Sequence, residues 1–305
     1  LCSYHKNFIG GVDSGVLPKA AMSVTTSMIC DGNINTFRHM EQKHQVESYV
    51  LDIPNTYSPE AERYVVGQLQ ELIELLETKT GQKLDMNELK AAIQRENESK
   101  EYYKAFLKEQ KHRYYPNTMT LDLYMLFASH LNIGAQETLD FFKCLAEDVK
   151  TYPEFDGKGI LWVHLMPYYQ ETLQQYMNYQ EKYYIQACDL NLDYMEPLDA
   201  AHPLEALAKK MILNIYNGPY ERKVEMIRHL VKDFQSDAVI HFCHWGCKQS
   251  SGGVMLLKEA MREENVPMLI LDGDALDRRN SHDGQIKTRL QAFLELIDNI
   301  EEDKD

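Results

Sequence analysis

Apolar positions along the chain follow two rhythms. One is the helical rhythm: Val65, Leu69, Leu72, Ile73 and Leu76 keep three-to-four spacing, with Gly81 as a stop. Val224, Ile227, Val231 and Phe234 repeat it, as do Ile286, Leu290, Phe293, Leu294, Ile297 and Ile300 near the end. The other is the short, unbroken apolar run of a strand buried on both faces: 22–29, 48–53, 160–165, 183–188, 238–242 and 267–271. Runs and helices alternate at both ends of the chain, while 59–155 is almost wholly helical. Asp85 with Glu88 there resembles a capping box opening a long charged helix. The pattern predicts an α/β fold: two Rossmann-like units with mainly parallel sheets, joined by a helical region. The expected boundaries are a partial N-terminal α/β domain at 1–56, a helical region at 57–155 and a C-terminal α/β domain at 156–305.

Two junctions stand out. Asp237-Ala-Val-Ile-His-Phe-Cys-His-Trp-Gly-Cys247 puts a thiol in the loop between a strand's C-terminal end and the next helix, whose expected inner face is Val254, Leu257, Ala260 and Met261. Ligands of open α/β sheets bind at that edge. Cys30 does the same after the first strand, with Gly32 beside it and Asn33 expected to cap a helix to about Lys43. Two such junctions suggest two similar units facing each other across a cleft.

Net charge is −15, from 32 basic and 47 acidic residues, with no basic block. That argues against nucleic acid or an anionic membrane as partner. No apolar run is long enough to span a bilayer, and no signal peptide opens the chain. The six cysteines are unevenly spaced, unlike a disulfide framework, so a reducing cytoplasm is expected, with thiols available as metal ligands. The chain opens at Leu1 with Cys2 immediately after; the expectation is that residues precede it or that another chain packs there. Cys2, Cys30 and Cys247 are the candidates for one soft-metal site. Three thiolates would bind zinc with His244 as a fourth ligand, or hold an iron–sulfur cluster with one iron open, and spacing does not choose. Cys144, Cys188 and Cys243 read as core.

The residues in order are Cys2-Ser-Tyr, Ser27-Met-Ile-Cys30-Asp-Gly-Asn, Leu51-Asp-Ile-Pro54, His202-Pro-Leu-Glu-Ala-Leu-Ala208, His244-Trp-Gly-Cys247, and Leu271-Asp-Gly-Asp274 followed by Gly284-Gln-Ile-Lys-Thr-Arg-Leu-Gln-Ala-Phe-Leu294. Together they resemble the 2-hydroxyacyl-CoA dehydratase family, whose relatives include benzoyl-CoA reductase subunits and double-cubane cluster proteins. The resemblance runs over essentially the whole chain. Members usually carry a further N-terminal segment that is absent here, so substrate residues from it are unassigned. The resemblance implies that Cys2, Cys30 and Cys247 each ligate one iron of a 4Fe-4S cluster whose fourth iron is open. It implies a homologous second dehydratase subunit, an ATP-dependent iron–sulfur activator protein that injects one electron, and an acyl-CoA substrate. The reaction so implied is radical elimination of water from a 2-hydroxyacyl-CoA. One added electron makes the thioester a ketyl, which expels the α-hydroxyl; loss of the β-proton and return of the electron give the 2-enoyl-CoA. An electron-relay subunit without its own substrate site, or a reductase of the benzoyl-CoA or double-cubane type, are the alternatives.

Around Cys247, His244 is the candidate catalytic residue, as a hydrogen-bond donor to a cluster sulfur or a proton carrier. Trp245, Lys248 and Gln249 read as substrate contacts or, equally, as packing and solvated charge. Ser250-Ser-Gly-Gly253 reads as an anion site or, more simply, a capped helix start. Asp272 and Asp274 read mainly as turn residues, and Asp31 as the cap of the helix after Cys30.

Overall fold

In the computed structural model, which describes residues 1–302, twelve α-helices and six strands follow one another. The order is α1 (Ser3–Asp13), β1 (Ser23–Thr26), α2 (Asp31–His44), β2 (Ser48–Leu51), α3 (Pro59–Thr80), α4 (Met86–Glu109), α5 (Met119–Leu126) and α6 (Gln136–Asp148). Then come β3 (Lys158–Val163), α7 (Glu171–Met177), β4 (Tyr183–Cys188), α8 (Pro203–Leu213), α9 (Tyr220–Phe234) and β5 (Ala238–His244). The chain closes with α10 (Lys248–Ser251), α11 (Val254–Glu263), β6 (Met268–Gly273) and α12 (Asp283–Glu302). No helix among the described residues is long and apolar enough to cross a membrane.

The chain divides into two compact units, each built from two segments. Unit 1 is Leu1–Gln94 with Tyr194–Arg222; unit 2 is Arg95–Asp193 with Lys223–Asp305. The division therefore falls inside α4, and the helical stretch after residue 57 contributes to both.

In unit 1, β1 and β2 pair in parallel, Ser23 opposite Ser48 through Thr26 opposite Leu51. Both are shorter than their apolar runs. Helix α3 shows why local signals suffice for its limits. Ser58 accepts the Ala61 N–H at 3.1 Å, Pro59 fills the first turn, and Gly81 closes the helix at φ 70°. Its face carries fully buried Val65, with Leu69 and Leu72 part-buried, onto Leu51, Ile53 and Ile212. Asp85 opens α4 as expected, accepting the Asn87 N–H at 2.8 Å.

Unit 2 holds a four-stranded parallel sheet in the order β4-β3-β5-β6. Every residue of β4 and β5 is buried, and Ile160, Leu161, Trp162 and Val163 of β3 expose no surface, as parallel strands covered by helices require. The expected inner faces of α9 and α12 are buried, as are Leu257, Ala260 and Met261 of α11; the Ile300 side chain lies outside the described residues. From β3 the chain moves outward to β4, then returns across β3 to lay down β5 and β6 on the other side. The C-terminal ends of β3 and β5 thus form a topological switch point.

Candidate functional site

Both strand–Cys–helix junctions use one backbone device. Ile29 sits at φ 70° and Gly246 at φ 79°; each is followed by an extended cysteine and a helix. Cys30 itself, at φ −145° and ψ 116°, is the N-cap of α2. This corrects the expectation for Asn33 and Asp31: the helix begins at Asp31, inside which neither residue can serve as cap. Glycine takes the left-handed conformation freely, but a β-branched residue such as Ile29 is held there at a cost of about 1–3 kcal/mol. Cys2 and Cys247 are likewise the N-caps of α1 and α10. All three are free thiols of intermediate exposure. Cys2 and Cys30 thus stand at the N-termini of α1 and α2, the positive ends of those helices, which favour negatively charged groups.

The other cysteines divide. Cys188 and Cys243 are buried in β4 and β5, and burial pushes their thiols up, Cys243 to about 11. Cys144 is exposed on α6 rather than in the core: it falls between the buried positions Phe142 and Leu145 of that amphipathic helix.

In unit 1 a histidine stands beside Cys30. His5 lies one turn after Cys2 on α1, and its Nε2 is 3.3 Å from Cys30 Sγ. Its Nδ1 is 2.8 Å from the Thr36 hydroxyl, which also reaches the Gly32 carbonyl at 2.8 Å. Burial lowers the His5 pKa. Gly32 makes the room: a Cβ there would lie 2.7 Å from His5 Nε2 and 3.3 Å from Cys30 Sγ. The Cys-x-x-His spacing at 2–5 was the available signal for His5, since residues three apart share a helix face.

In unit 2, Cys247 lies just past β5, at the switch point. Its neighbour is His164, the residue after β3, whose Nε2 is 3.6 Å from Cys247 Sγ. His164 is left-handed at φ 76°. Asp189 Oδ1 accepts its backbone N–H at 2.6 Å, and the Cys188 thiol donates to its carbonyl at 3.7 Å. Asp189 is paired in turn with Lys223 Nζ at 2.9 Å, and both side chains are completely buried. Desolvation, then the Lys223 charge, hold the His164 imidazole well below its ordinary pKa and keep it neutral.

His244 ends β5 with no exposed surface. Its Nδ1 accepts the Ala275 N–H at 3.0 Å, so the neutral ring carries its proton on Nε2. Burial lowers its pKa, opposed by the charge of Asp274. The Ser250 hydroxyl accepts the His244 N–H at 3.0 Å and reaches the Cys247 carbonyl at 3.0 Å, so Ser250 ties down the cysteine loop. Trp245 is 49% exposed and Lys248 is exposed. Asp274 accepts the Leu276 and Asp277 N–H groups as a turn residue, and Asp272 pairs with Arg289 at 3.3 Å.

Cys2 and Cys30 belong to unit 1, Cys247 and His244 to unit 2. Neither unit by itself gathers three metal-ligating side chains among the described residues. The donor chemistry nonetheless fits a cluster bound through sulfur: unbridged cysteines at helix starts, sulfur set beside nitrogen, and a glycine keeping the Cys30 sulfur clear of a Cβ.

The chain is similar to several dehydratase subunits. The chain is 26% identical to the (R)-phenyllactyl-CoA dehydratase alpha subunit of Clostridium sporogenes, over 95% of this chain and 74% of the relative. It is 22% identical to the lactoyl-CoA dehydratase subunit alpha of Anaerotignum propionicum, covering 92% and 70%. Against the (R)-2-hydroxyglutaryl-CoA dehydratase subunit alpha of Acidaminococcus fermentans it is also 22% identical, covering 94% and 62%. Residues 1–297 match the family described as 2-hydroxyglutaryl-CoA dehydratase, D-component. With that match running nearly end to end, the chain belongs to the 2-hydroxyglutaryl-CoA dehydratase D-component family.

Proposed function

We propose that this chain is an iron–sulfur subunit of a 2-hydroxyacyl-CoA dehydratase. The reaction removes water from a 2-hydroxyacyl-CoA after one-electron injection by an ATP-dependent activator, and a homologous second subunit completes the enzyme. The observation that carries the reading is the repeated junction. A left-handed residue, a half-exposed cysteine cap and a helix recur at Cys30 and Cys247, each sulfur beside a histidine Nε2. The relatives, all named as dehydratase alpha subunits, support the reaction class.

Cys2, Cys30 and Cys247 would each ligate one iron of a 4Fe-4S cluster. When bound, such a cluster supplies a one-electron centre with an iron left open to an oxygen ligand. The protein's own contributions are separate. Asp189, Lys223 and Ser250 hold the Cys247 junction in one geometry. Phe242 and His244 are buried without exposed surface at that end of β5, while the exposed Trp245 indole would offer a flat face to a bound acyl-CoA. His244 carries its proton on Nε2, the form in which an imidazole is a hydrogen-bond donor.

Anaerobic purification should give a brown protein with about four irons and four sulfides per chain. Replacing Cys30 or Cys247 with Ser should lower the iron content, while Cys144→Ser, on the exposed side of α6, should leave it unchanged. A zinc-only or colourless wild-type protein overturns the proposal.

A further inference from the structure

The proposed ligand Cys247 is served by a residue that neither its position nor its spacing announces. His164 lies 83 positions earlier, yet its Nε2 is 3.6 Å from the Cys247 sulfur. Three further observations concern how it is held. Its backbone is left-handed at φ 76°, a conformation that non-glycine residues keep only where the surroundings enforce it. The enforcement is visible: Asp189 takes the N–H, the Cys188 thiol meets the carbonyl, and Lys223 anchors Asp189. An ammonium and a carboxylate with no exposed surface are a costly way to fix one peptide unit. What that peptide unit controls is the direction of the imidazole, since φ and ψ of His164 set its Cβ vector at the switch point.

We propose that His164 is a positioning residue whose Nε2–H donates a hydrogen bond to the Cys247 sulfur when that sulfur ligates iron. The inference rests on the reading of Cys247 as a cluster ligand. A metal-bound thiolate carries no proton and can only accept, so the ring nitrogen must be the donor. Such a bond stabilises the more negative, reduced cluster and raises its potential. Asp189 and Lys223 act one step further back, fixing the angle of approach.

The test compares His164→Met with His164→Gln in the anaerobically purified protein. Both side chains are unbranched and of similar length, and both meet the same backbone strain. They differ in that glutamine keeps an N–H donor. The readout is the midpoint potential of the cluster, followed by electron paramagnetic resonance during a redox titration, with activity left aside. His164→Met should lower the potential, changing the reduced-to-oxidised ratio at fixed potential about tenfold, which is about 59 mV for one electron. His164→Gln should stay close to wild type. Loss of the cluster from the methionine variant alone supports the same conclusion. Equal potentials in all three proteins, or the same loss in both variants, overturn it in favour of simple packing. A wild-type protein without iron removes Cys247 as a ligand and so refutes the underlying reading at an earlier step.

Discussion

Lys223 is the sharpest place to test how the Cys247 junction is held. It belongs to the face of α9 that otherwise packs Val224, Ile227, Leu230 and Phe234 into unit 2, and it is as buried as they are. Lys223→Met keeps chain length and nearly the same volume, so packing changes little. What disappears is the ammonium 2.9 Å from Asp189 Oδ2. The carboxylate stays behind at zero exposure with the His164 N–H as a neutral donor. Breaking a buried pair in this way costs about 3–5 kcal/mol, against a total domain stability of about 5–15 kcal/mol. The double variant Lys223→Met/Asp189→Asn removes both charges while leaving an oxygen for the His164 N–H, and it should recover most of the loss. Denaturant unfolding followed by tryptophan fluorescence suits the question, because the two tryptophans, buried Trp162 and exposed Trp245, both lie in unit 2. The single variant should shift the midpoint strongly at unchanged slope. A loss below about 1 kcal/mol, the scale of an exposed ion pair, would refute the reasoning.

Other consequences are open to the same kind of measurement. Burial raises the Asp122 carboxyl to about 8, partly offset by the Asn117 amide that donates to it at 3.1 Å. The native state therefore holds a proton that the unfolded chain releases near 3.8, and unit 2 should lose stability as pH rises from about 4 to about 8, by up to about 1.4 kcal/mol per pH unit. Asp122→Asn should flatten that slope in the fluorescence assay; an unchanged slope would point to another group. Gly32→Ala should favour α2 by up to about 1 kcal/mol through helix propensity, measured by circular dichroism on heating. It should nonetheless lower iron content, because its Cβ would press on His5 Nε2 at 2.7 Å and on Cys30 Sγ at 3.3 Å. Full iron occupancy in that variant would show that the space beside Cys30 is not needed.

What local chemistry encodes was readable from the chain alone. Gly81 marks the end of α3, the apolar period identifies α9 and α12, and the unbroken run 238–242 identifies a strand buried on both faces. The order of motifs pointed to the family, and glycine beside two cysteines pointed to the junctions. Each of these signals lies within a few residues of what it determines. The exceptions are instructive: Cys30 displaced Asn33 as a cap because the left-handed Ile29 turns the chain earlier, and Ile29 is a residue type for which no local rule predicts φ 70°.

Only the tertiary structure decided which side chains stand against the cysteines. His5 meets Cys30 across 25 positions, His164 meets Cys247 across 83, and Asp189 reaches the His164 peptide across 25. Lys223 sits at an apolar position of α9, where a pattern of hydrophobic and polar residues assigns a lysine to solvent; its partner on another element is what lets it stay inside. Periodicity reports how one segment divides between core and water. It carries no record of the partners that strand order β4-β3-β5-β6 brings to one edge, because that order is set by packing the whole sheet.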